Sequence, residues 1–352
     1  MLRAIQLARR GMGRVSPNPL VGCVVVREGR IVAEGHHLFV RKDHAEVVAL
    51  AAAGTAARGA DLYVSLEPCH HQGRTPACTE AIVRAGIRRV FAAVSDPNPL
   101  VAGSGIEFLR HSGIDAQVGL LEEKAARLNE HFFHFIPNQQ PFVLLKLAQT
   151  LDGKIAGASG EARWITSQAA RRYSHRLRYQ YDSILIGVDT LLRDDPSLDV
   201  RWKRPNSILK VILDSRLRTP PNARIFDSKD SVLIFHGMDA LRNESLSTRA
   251  ELVPVPDTPS GLAIQAVLDE LGRRQVTSLI VEGGSRVATS FLQARAVQRI
   301  HFFYAPKILG NGGLSAIGAL GDGGLARAFQ VESLRARSLS PDILIDARVK
   351  GR

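Results

Sequence analysis

The sequence predicts an α/β protein made of two successive domains, and three observations predict it. Segments rich in Val, Ile and Leu alternate with segments of helical apolar spacing along the whole chain. One polar stretch with a proline at each end, IPNQQP at residues 136–141, interrupts that alternation, which then restarts. The 352 residues suffice for about two domains of ordinary size.

Taken in order, MLRAIQLARRGMG spaces Leu2, Ile5, Leu7 and Ala8 as a helix over about residues 2–11, and lacks the long apolar core of a secretory signal. VGCVVV and RIVAEG read as strands joined at Glu28-Gly29, a hairpin turn. HAEVVALAAAG is a helix stopped by Gly54. DLYVSLE is a strand, TPACTEAIVRAG a helix and RRVFAAVSD a strand. IEFLRHSG and EEKAARLNEHFFHFI read as helices on either side of a short strand, DAQVG. Beyond the linker, the strands are FVLLKLA, SILIGVD, ILKVILDS, SVLIFHG, SLIVEGG and RIHFFYAP. The helices between them are SQAARRYSHRLRYQY, GLAIQAVLDELGRR and SRVATSFLQARA. PNPLV occurs at 17–21 and again at 97–101, which reads as two similar turns and not as a repeat architecture.

Composition narrows the class. An apolar fraction of 45% and a charged fraction of 23% are those of a soluble globular protein. No run of about 18 apolar residues offers a membrane span. Three cysteines are too few and too odd for a disulfide framework, so a reducing, cytoplasmic setting is expected. The net charge of +12 favours acidic partners: nucleic acid, an anionic surface or phosphorylated small molecules. The basic residues are scattered, so charge alone does not establish nucleic-acid binding.

Two of the three cysteines lie in LEPCHHQGRTPAC, residues 66–78. Thr75-Pro76 reads as a helix N-cap followed by proline at the first helical position. Cys78 then falls in the first turn, where the helix dipole favours the thiolate that a metal needs. His44, also at a helix start, supplies a third ligand, with Glu46 two residues on. Zinc held by one His and two Cys keeps a fourth position open, the catalytic pattern, in which a water is acidified to a pKa of about 7. His44-Ala45-Glu46 and Pro68-Cys69 fit the nucleobase-deaminase signature, except that eight residues separate the cysteines where the signature has two. Residues i and i+2 do not share a helix face, so a proton-shuttling Glu46 depends on geometry at the helix end. On residues alone, a structural zinc, or buried thiols beside a surface histidine, stays open. Cys23, inside VGCVVV, reads as core, and His36, His37 and His70 as ordinary surface or loop histidines.

SPNPLVGCVVV, HAEVVAL, LEPCHHQGRTPAC and SDPNPLVAGSG, in that order, resemble the deaminase domain of the bifunctional riboflavin-biosynthesis deaminase/reductase family. The long insert between the cysteines belongs to that family's pattern. LKLAQTLDGKIA, SGEARWITS, GVDTLLRDDPSLDVR, VILDS and LIVEGG resemble its reductase domain, so the resemblance runs essentially end to end. It implies a cytidine-deaminase-like three-layer α/β/α domain over residues 1–138 and a dihydrofolate-reductase-like α/β domain over 139–352. The implied reactions are hydrolytic deamination of 2,5-diamino-6-(5-phospho-ribosylamino)pyrimidin-4-one, then NADPH-dependent reduction of the ribosyl group to ribityl. The resemblance further implies small phosphoribosyl-pyrimidine partners, no nucleic acid or membrane, and a homodimer or homotetramer. A deaminase acting on nucleic acid would share His-x-Glu and the high pI, but the second domain and the long cysteine insert argue against it.

Carried over residue by residue, His44, Cys69 and Cys78 are the zinc ligands and Glu46 the proton donor. Asn18 and His71 match positions that hold the pyrimidine or its ribose phosphate; Asn18 reads equally well as a turn residue. In the second domain no Gly-x-Gly-x-x-Gly follows a strand. The residues themselves point to LIVEGGSRVATS, where a buried strand ends in Glu-Gly-Gly and a helix N-terminus receives an anion. Matching positions place NADPH contacts at Ala148, Trp164, Thr190, Asp194, Ser215 and from Gly284. They place substrate contacts at Ala162, Arg178, Leu198, Arg201 and Glu282. Arg178 and Arg201 make chemical sense as phosphate ligands, although Arg178 by itself reads as a solvated residue on a basic helix. Lys154 is a further candidate near the reduction centre. No residue of the sequence by itself reads as a ligand for the 2′-phosphate.

Overall fold

The computed structural model describes residues 1–39, 43–70, 77–99, 101–161, 164–202, 207–241, 243–321, 324 and 328–350. It divides into two compact units, Met1–Gln139 and Gln140–Arg352. Among the described residues no helix is long and apolar enough to cross a membrane.

The first unit runs α1 (Leu2–Ala8), β1 (Gly22–Arg27), β2 (Arg30–His36), α2 (Ala45–Ala53), β3 (Asp61–Val64), α3 (Cys78–Arg84), β4 (Arg89–Ala92), α4 (Ser104–His111), β5 (Asp115–Val118), α5 (Glu122–Leu128) and α6 (Glu130–Asn138). The sheet order is β2-β1-β3-β4-β5, with β1 antiparallel to β2 and β3, and β3 to β5 parallel. The β1–β2 hairpin turns through Glu28 and Gly29 at φ 51° and 75°, the two positive angles that match the twist of the flanking strands. Successive residues of β1 face opposite sides. Cys23 and Val25 pack with Ala45, Ala49, Ile82, Ile106 and Leu109 of α2, α3 and α4, while Val24 packs with Ala4 and Leu7 of α1. Helices therefore cover both faces of the sheet, in three layers.

The second unit runs β6 (Phe142–Thr150), β7 (Lys154–Ala156), α7 (Gln168–Gln180), β8 (Ser183–Gly187), α8 (Val188–Asp194), β9 (Leu209–Leu213), β10 (Val232–Gly237), α9 (Glu244–Ser247), β11 (Glu251–Val255), β12 (Asp257–Thr258), β13 (Gly261–Leu262), α10 (Ile264–Arg273), β14 (Ser278–Val281), α11 (Ser285–Gln293), β15 (Arg299–Ala305), β16 (Leu314–Ser315), β17 (Val331–Leu339) and β18 (Asp342–Val349). Nine strands form one sheet in the order β11-β10-β9-β8-β14-β6-β15-β18-β17. It is parallel from β11 to β15, and β18 joins it antiparallel to β15 and β17. Val143 and Leu145 of β6 pack on α10 and α11 through Val267, Leu271, Ala288 and Phe291. Phe142 and Leu144 pack on α7 through Ala170 and Leu177. Burial on both faces is why these strands read as unbroken apolar runs.

The structure corrects three expectations and adds one hairpin that the sequence did not announce. EEKAARLNEHFFHFI is two helices, because Asn129 is buried at the break and its side chain accepts from Leu20 N (2.7 Å) and donates to Leu20 O (2.9 Å). α6 then continues through Pro137 to Asn138 and ends where Gln139 turns left-handed, its N–H on Phe135 O, so only the last residues of IPNQQP lie outside an element. α3 begins at Cys78 with Ala77 as its N-cap; the Thr75-Pro76 cap lies outside the described residues. The β17–β18 hairpin was not expected, since nearly all of β17 is exposed on both faces and its sequence carries no apolar alternation.

Candidate active sites

His44 is the N-cap of α2, in extended backbone, and its imidazole caps nothing, which leaves the ring free to project. Cys69 follows β3, and its carbonyl accepts from Thr79 N (3.2 Å), which ties it to the first turn of α3. Cys78 opens that helix and is fully buried. His44 Nδ1 lies 3.0 Å from Cys78 Sγ and 3.4 Å from Cys69 Sγ. The three donor atoms all fall within 4.8 Å of one another. Tetrahedral zinc with ordinary Zn–N and Zn–S bonds sets N···S edges of about 3.6 Å, so this donor set fits the metal. Hydrogen bonds from Cys78 and His44 hold the Cys69 thiol down at about 4, and the hydrogen bond with Cys69 raises His44 to about 9. Its own hydrogen bond with Cys69, together with burial, pushes the Cys78 thiol up.

Glu46, in the first turn of α2, is 3% exposed. Its carboxyl is in hydrogen-bond contact with Cys78, while Oε2 has no hydrogen-bond partner among the described residues. Burial raises it from 4.5 to about 7. The objection from i,i+2 spacing disappears, because His44 is the cap and stands outside the helical repeat.

His37 corrects its surface reading. It is buried, Nδ1 donates to Asp43 O (2.9 Å), Nε2 accepts from Asn18 Nδ2 (3.1 Å), and the ring meets His44 edge-on at 5.7 Å. Asn18 also has its N–H on Val15 O (2.8 Å), so it is a turn residue whose side chain reaches toward the cluster through His37. His70 is half-buried, stacked on Phe108 at 4.1 Å, with Nδ1 3.1 Å from Thr79 Oγ1. His36 ends β2, half-buried. His71 lies outside the described residues. Cys23 is fully buried in the core. Sequence reasoning missed Glu67, whose buried carboxylate accepts from the backbone N–H groups of Asp96, Gly103, Gly105 and Ile106 (3.2, 3.0, 3.1 and 3.3 Å). The available signal was an acidic residue at the end of an apolar strand, directly before Pro68-Cys69.

In the second unit, Arg178 of α7 grips Glu282, just past β14, with Nε to Oε1 at 3.1 Å and Nη2 to Oε2 at 3.0 Å. Lys146 of β6 lies 3.5 Å from the same carboxylate, a partner the sequence did not reveal. Burial pushes Glu282 up, but Arg178 and Lys146 outweigh it and hold the carboxyl at about 2. Arg178 Nη1 also donates to Asp199 O (3.4 Å), beside Leu198, which is buried and left-handed at φ 55°. Arg201 is exposed and donates to Ser197 Oγ (3.2 Å).

Thr190, Ser215 and Gly284 follow the C-terminal ends of β8, β9 and β14, three neighbours in the sheet, where ligands bind in open α/β sheets. Gly284 caps α11 without a side-chain cap, and the position a Cβ would take on it is 3.5 Å from Thr190 Oγ1. The uncapped amides of this nine-residue helix suit a phosphate, so the residues fit a dinucleotide. Asp194 ends α8. Ala148 is half-buried on β6, packed against the α7 core. Trp164 is 64% exposed, with the Arg171 guanidinium 4.4 Å over its ring and Lys307 Nζ on its carbonyl at 2.6 Å. Lys154 Nζ donates to Ser315 Oγ (3.1 Å). Ala162 lies outside the described residues.

With this geometry in place, residues 1–94 match the cytidine and deoxycytidylate deaminase zinc-binding region, and residues 141–345 match the RibD C-terminal domain. The riboflavin biosynthesis protein RibD of Aquifex aeolicus is 42% identical over 350 residues, 98% of this chain and 96% of that one. That of Escherichia coli is 39% identical over 358 residues, 98% and 97% of the two chains. A solved diaminohydroxyphosphoribosylaminopyrimidine deaminase/5-amino-6-(5-phosphoribosylamino)uracil reductase from Thermotoga maritima superposes with a TM-score of 0.88 at 38% identity, over 99% of this chain and 97% of that one. Acinetobacter baumannii RibD, form 1, superposes at 0.91 and 34% identity, over 99% and 98%.

Proposed function

The chain belongs to the RibD family of riboflavin-biosynthesis proteins, and on that premise we propose which of its side chains carry the family's two reactions. It is a bifunctional enzyme, with a cytidine-deaminase-like zinc domain followed by an NADPH-using reductase domain of dihydrofolate-reductase-like fold. We assign residues 1–138 to deamination of 2,5-diamino-6-(5-phospho-ribosylamino)pyrimidin-4-one and 139–352 to reduction of the product's ribosyl group. A homodimer or homotetramer in the cytoplasm completes the proposal.

His44, Cys69 and Cys78 hold zinc, and Asn18 offers its Oδ1 to the pyrimidine ring. Zinc, when bound, supplies Lewis-acid activation of water at the open fourth position, and NADPH supplies the reducing equivalents. Glu46 accepts a proton from the attacking water and returns it to the departing amino nitrogen, which leaves as ammonia. A carboxyl raised to about 7 both takes and releases a proton near neutrality. In the reductase, Glu282 stays ionised and offers acceptors to a substrate hydroxyl, and the exposed Arg201, with the remaining donors of Arg178, holds the phosphate. The α11 N-terminus at Gly284, with Thr190 and Ser215, receives the dinucleotide, and Ala148, Trp164 and Asp194 complete its contacts. Ala162 and Leu198 contribute backbone groups to the substrate.

One observation carries the deaminase reading: an imidazole and two sulfurs within 4.8 Å, beside a buried carboxyl. Purified enzyme should hold about one zinc per chain by elemental analysis, release ammonia from the diaminopyrimidine and oxidise NADPH only on the deaminated product. A metal-free preparation that still releases ammonia would sink the reading.

A further inference from the structure

All three cysteines of the chain, Cys23, Cys69 and Cys78, stand in the first unit, and residues 140–352 contain none. Cys23 is fully buried among Val25, Ala45 and Ala49 and is not part of the donor cluster. Cys69 and Cys78 have their sulfurs within 4.8 Å of each other and of His44 Nδ1, in hydrogen-bond contact. The backbone ties the pair as well, since Thr79 N donates to Cys69 O at 3.2 Å. Burial differs between the two: Cys69 is half-buried, whereas Cys78 is closed off from solvent. An accessible sulfur beside an enclosed one is the arrangement in which the first takes an oxidant and the second resolves it.

Zinc with ordinary Zn–S bonds keeps two thiolates about 3.8 Å apart, while a disulfide needs about 2.0 Å, so the pair holds either the metal or the bond. The deaminase centre must admit water at its open position, and hydrogen peroxide has similar polarity and nearly the same size. We infer that Cys69 and Cys78 form a modification site for a hydroperoxide, which links them as a disulfide, releases zinc and stops deamination alone. The inference rests on the reading of these residues as zinc ligands. The Cys69 thiolate attacks one peroxide oxygen, the O–O bond breaks and hydroxide departs, leaving Cys69 as a sulfenic acid. The Cys78 thiolate attacks that sulfur and displaces a second hydroxide. Protons from solvent turn both hydroxides into water, and the sulfurs lose the electron pair that the peroxide gains. A neutral disulfide no longer offers the thiolates that hold the metal. The reductase half, with no cysteine, keeps its rate, and a dithiol with zinc restores the first reaction.

Zinc content, free thiols and peptide linkage, read on the full zinc-loaded chain before and after hydrogen peroxide, test it beside the two activities. Two of the three thiols should disappear in step with zinc release to a colorimetric chelator. Non-reducing peptide mapping should join the Cys69 peptide to the Cys78 peptide. Ammonia release should fall at least about tenfold in the same exposure, with NADPH oxidation on deaminated substrate held within about twofold. Dithiothreitol with zinc should restore ammonia release, and Cys23→Ala should give the same link and the same zinc loss. Thiols that survive the exposure, zinc that stays bound while thiols are lost, a link through Cys23, or sulfinic acid at Cys69 without a link overturns the inference. So does a parallel loss of reduction. A chain that takes up no zinc before the oxidant is added fails the site reading, and the inference fails with it.

Discussion

Arg178 holds both carboxylate oxygens of Glu282, at 3.1 and 3.0 Å, although its helix reads as a solvated basic face. With Lys146 it keeps Glu282 at about 2, against the ordinary 4.5. A depressed carboxyl pKa stabilises the fold above the ordinary value, and that contribution is lost as pH falls from 4.5 toward about 2. The amount is on the order of 3 kcal/mol. Urea denaturation across that window should show the loss, and Glu282→Gln should flatten this part of the curve. An unchanged curve in the variant would contradict the ion pair.

Glu46→Gln removes the proton carrier and keeps the shape of the side chain. Ammonia release should fall by at least about 100-fold, the usual contribution of a general acid–base group. Zinc content and the reductase rate on supplied deaminated substrate should stay within twofold, by about the same criterion of preserved folding. Stopped-time ammonia assays beside NADPH oxidation read both.

Glu67 joins the Cys69 segment to the loop and helix that follow β4, through four backbone amides. Glu67→Ala strands buried donors, which costs about 1–3 kcal/mol each where water cannot reach them. Gly105 lies against the same segment: a Cβ there would collide with Pro68 O. Gly105→Ala must therefore displace the backbone beside Cys69. Both variants should lose zinc to a chelator faster than the parent, and thermal unfolding should begin earlier.

Lys210 is fully buried on β9, with Nζ 2.9 Å from Asp199 Oδ1, 2.7 Å from Ser228 Oγ and 3.2 Å from Ile225 O. It anchors the loop that carries Leu198 and Arg201. Lys210→Met should destabilise by about 3 kcal/mol, as expected for breaking a buried pair. The KM for the reductase substrate should rise more than kcat falls, since the loop is loosened and no reacting group is removed. Steady-state kinetics separate the two.

Much of the architecture was legible because its cause is local. The apolar run VGCVVV alternates between two helical layers, and FVLL is buried on both faces, so each reads as a strand. The exposed β17 and the broken helix at Asn129 were not legible. One lacks apolar alternation, and the other depends on a bond to Leu20, 109 residues away. His37 reads as a surface or loop histidine, and Lys146 carries no signal at all, for the same reason: isolated polar residues take their meaning from partners that other segments supply.

By itself the sequence determined the alternation of the buried strands with the longer helices, the two-domain plan and the kinds of donor available, one imidazole and two thiols among them. Only the tertiary structure decided that His44, 25 residues from Cys69 and 34 from Cys78, meets them at one point, and that Glu46 is buried beside them. Periodicity reports which face of an element avoids water. The distance between side chains on different elements is set by how those faces pack together.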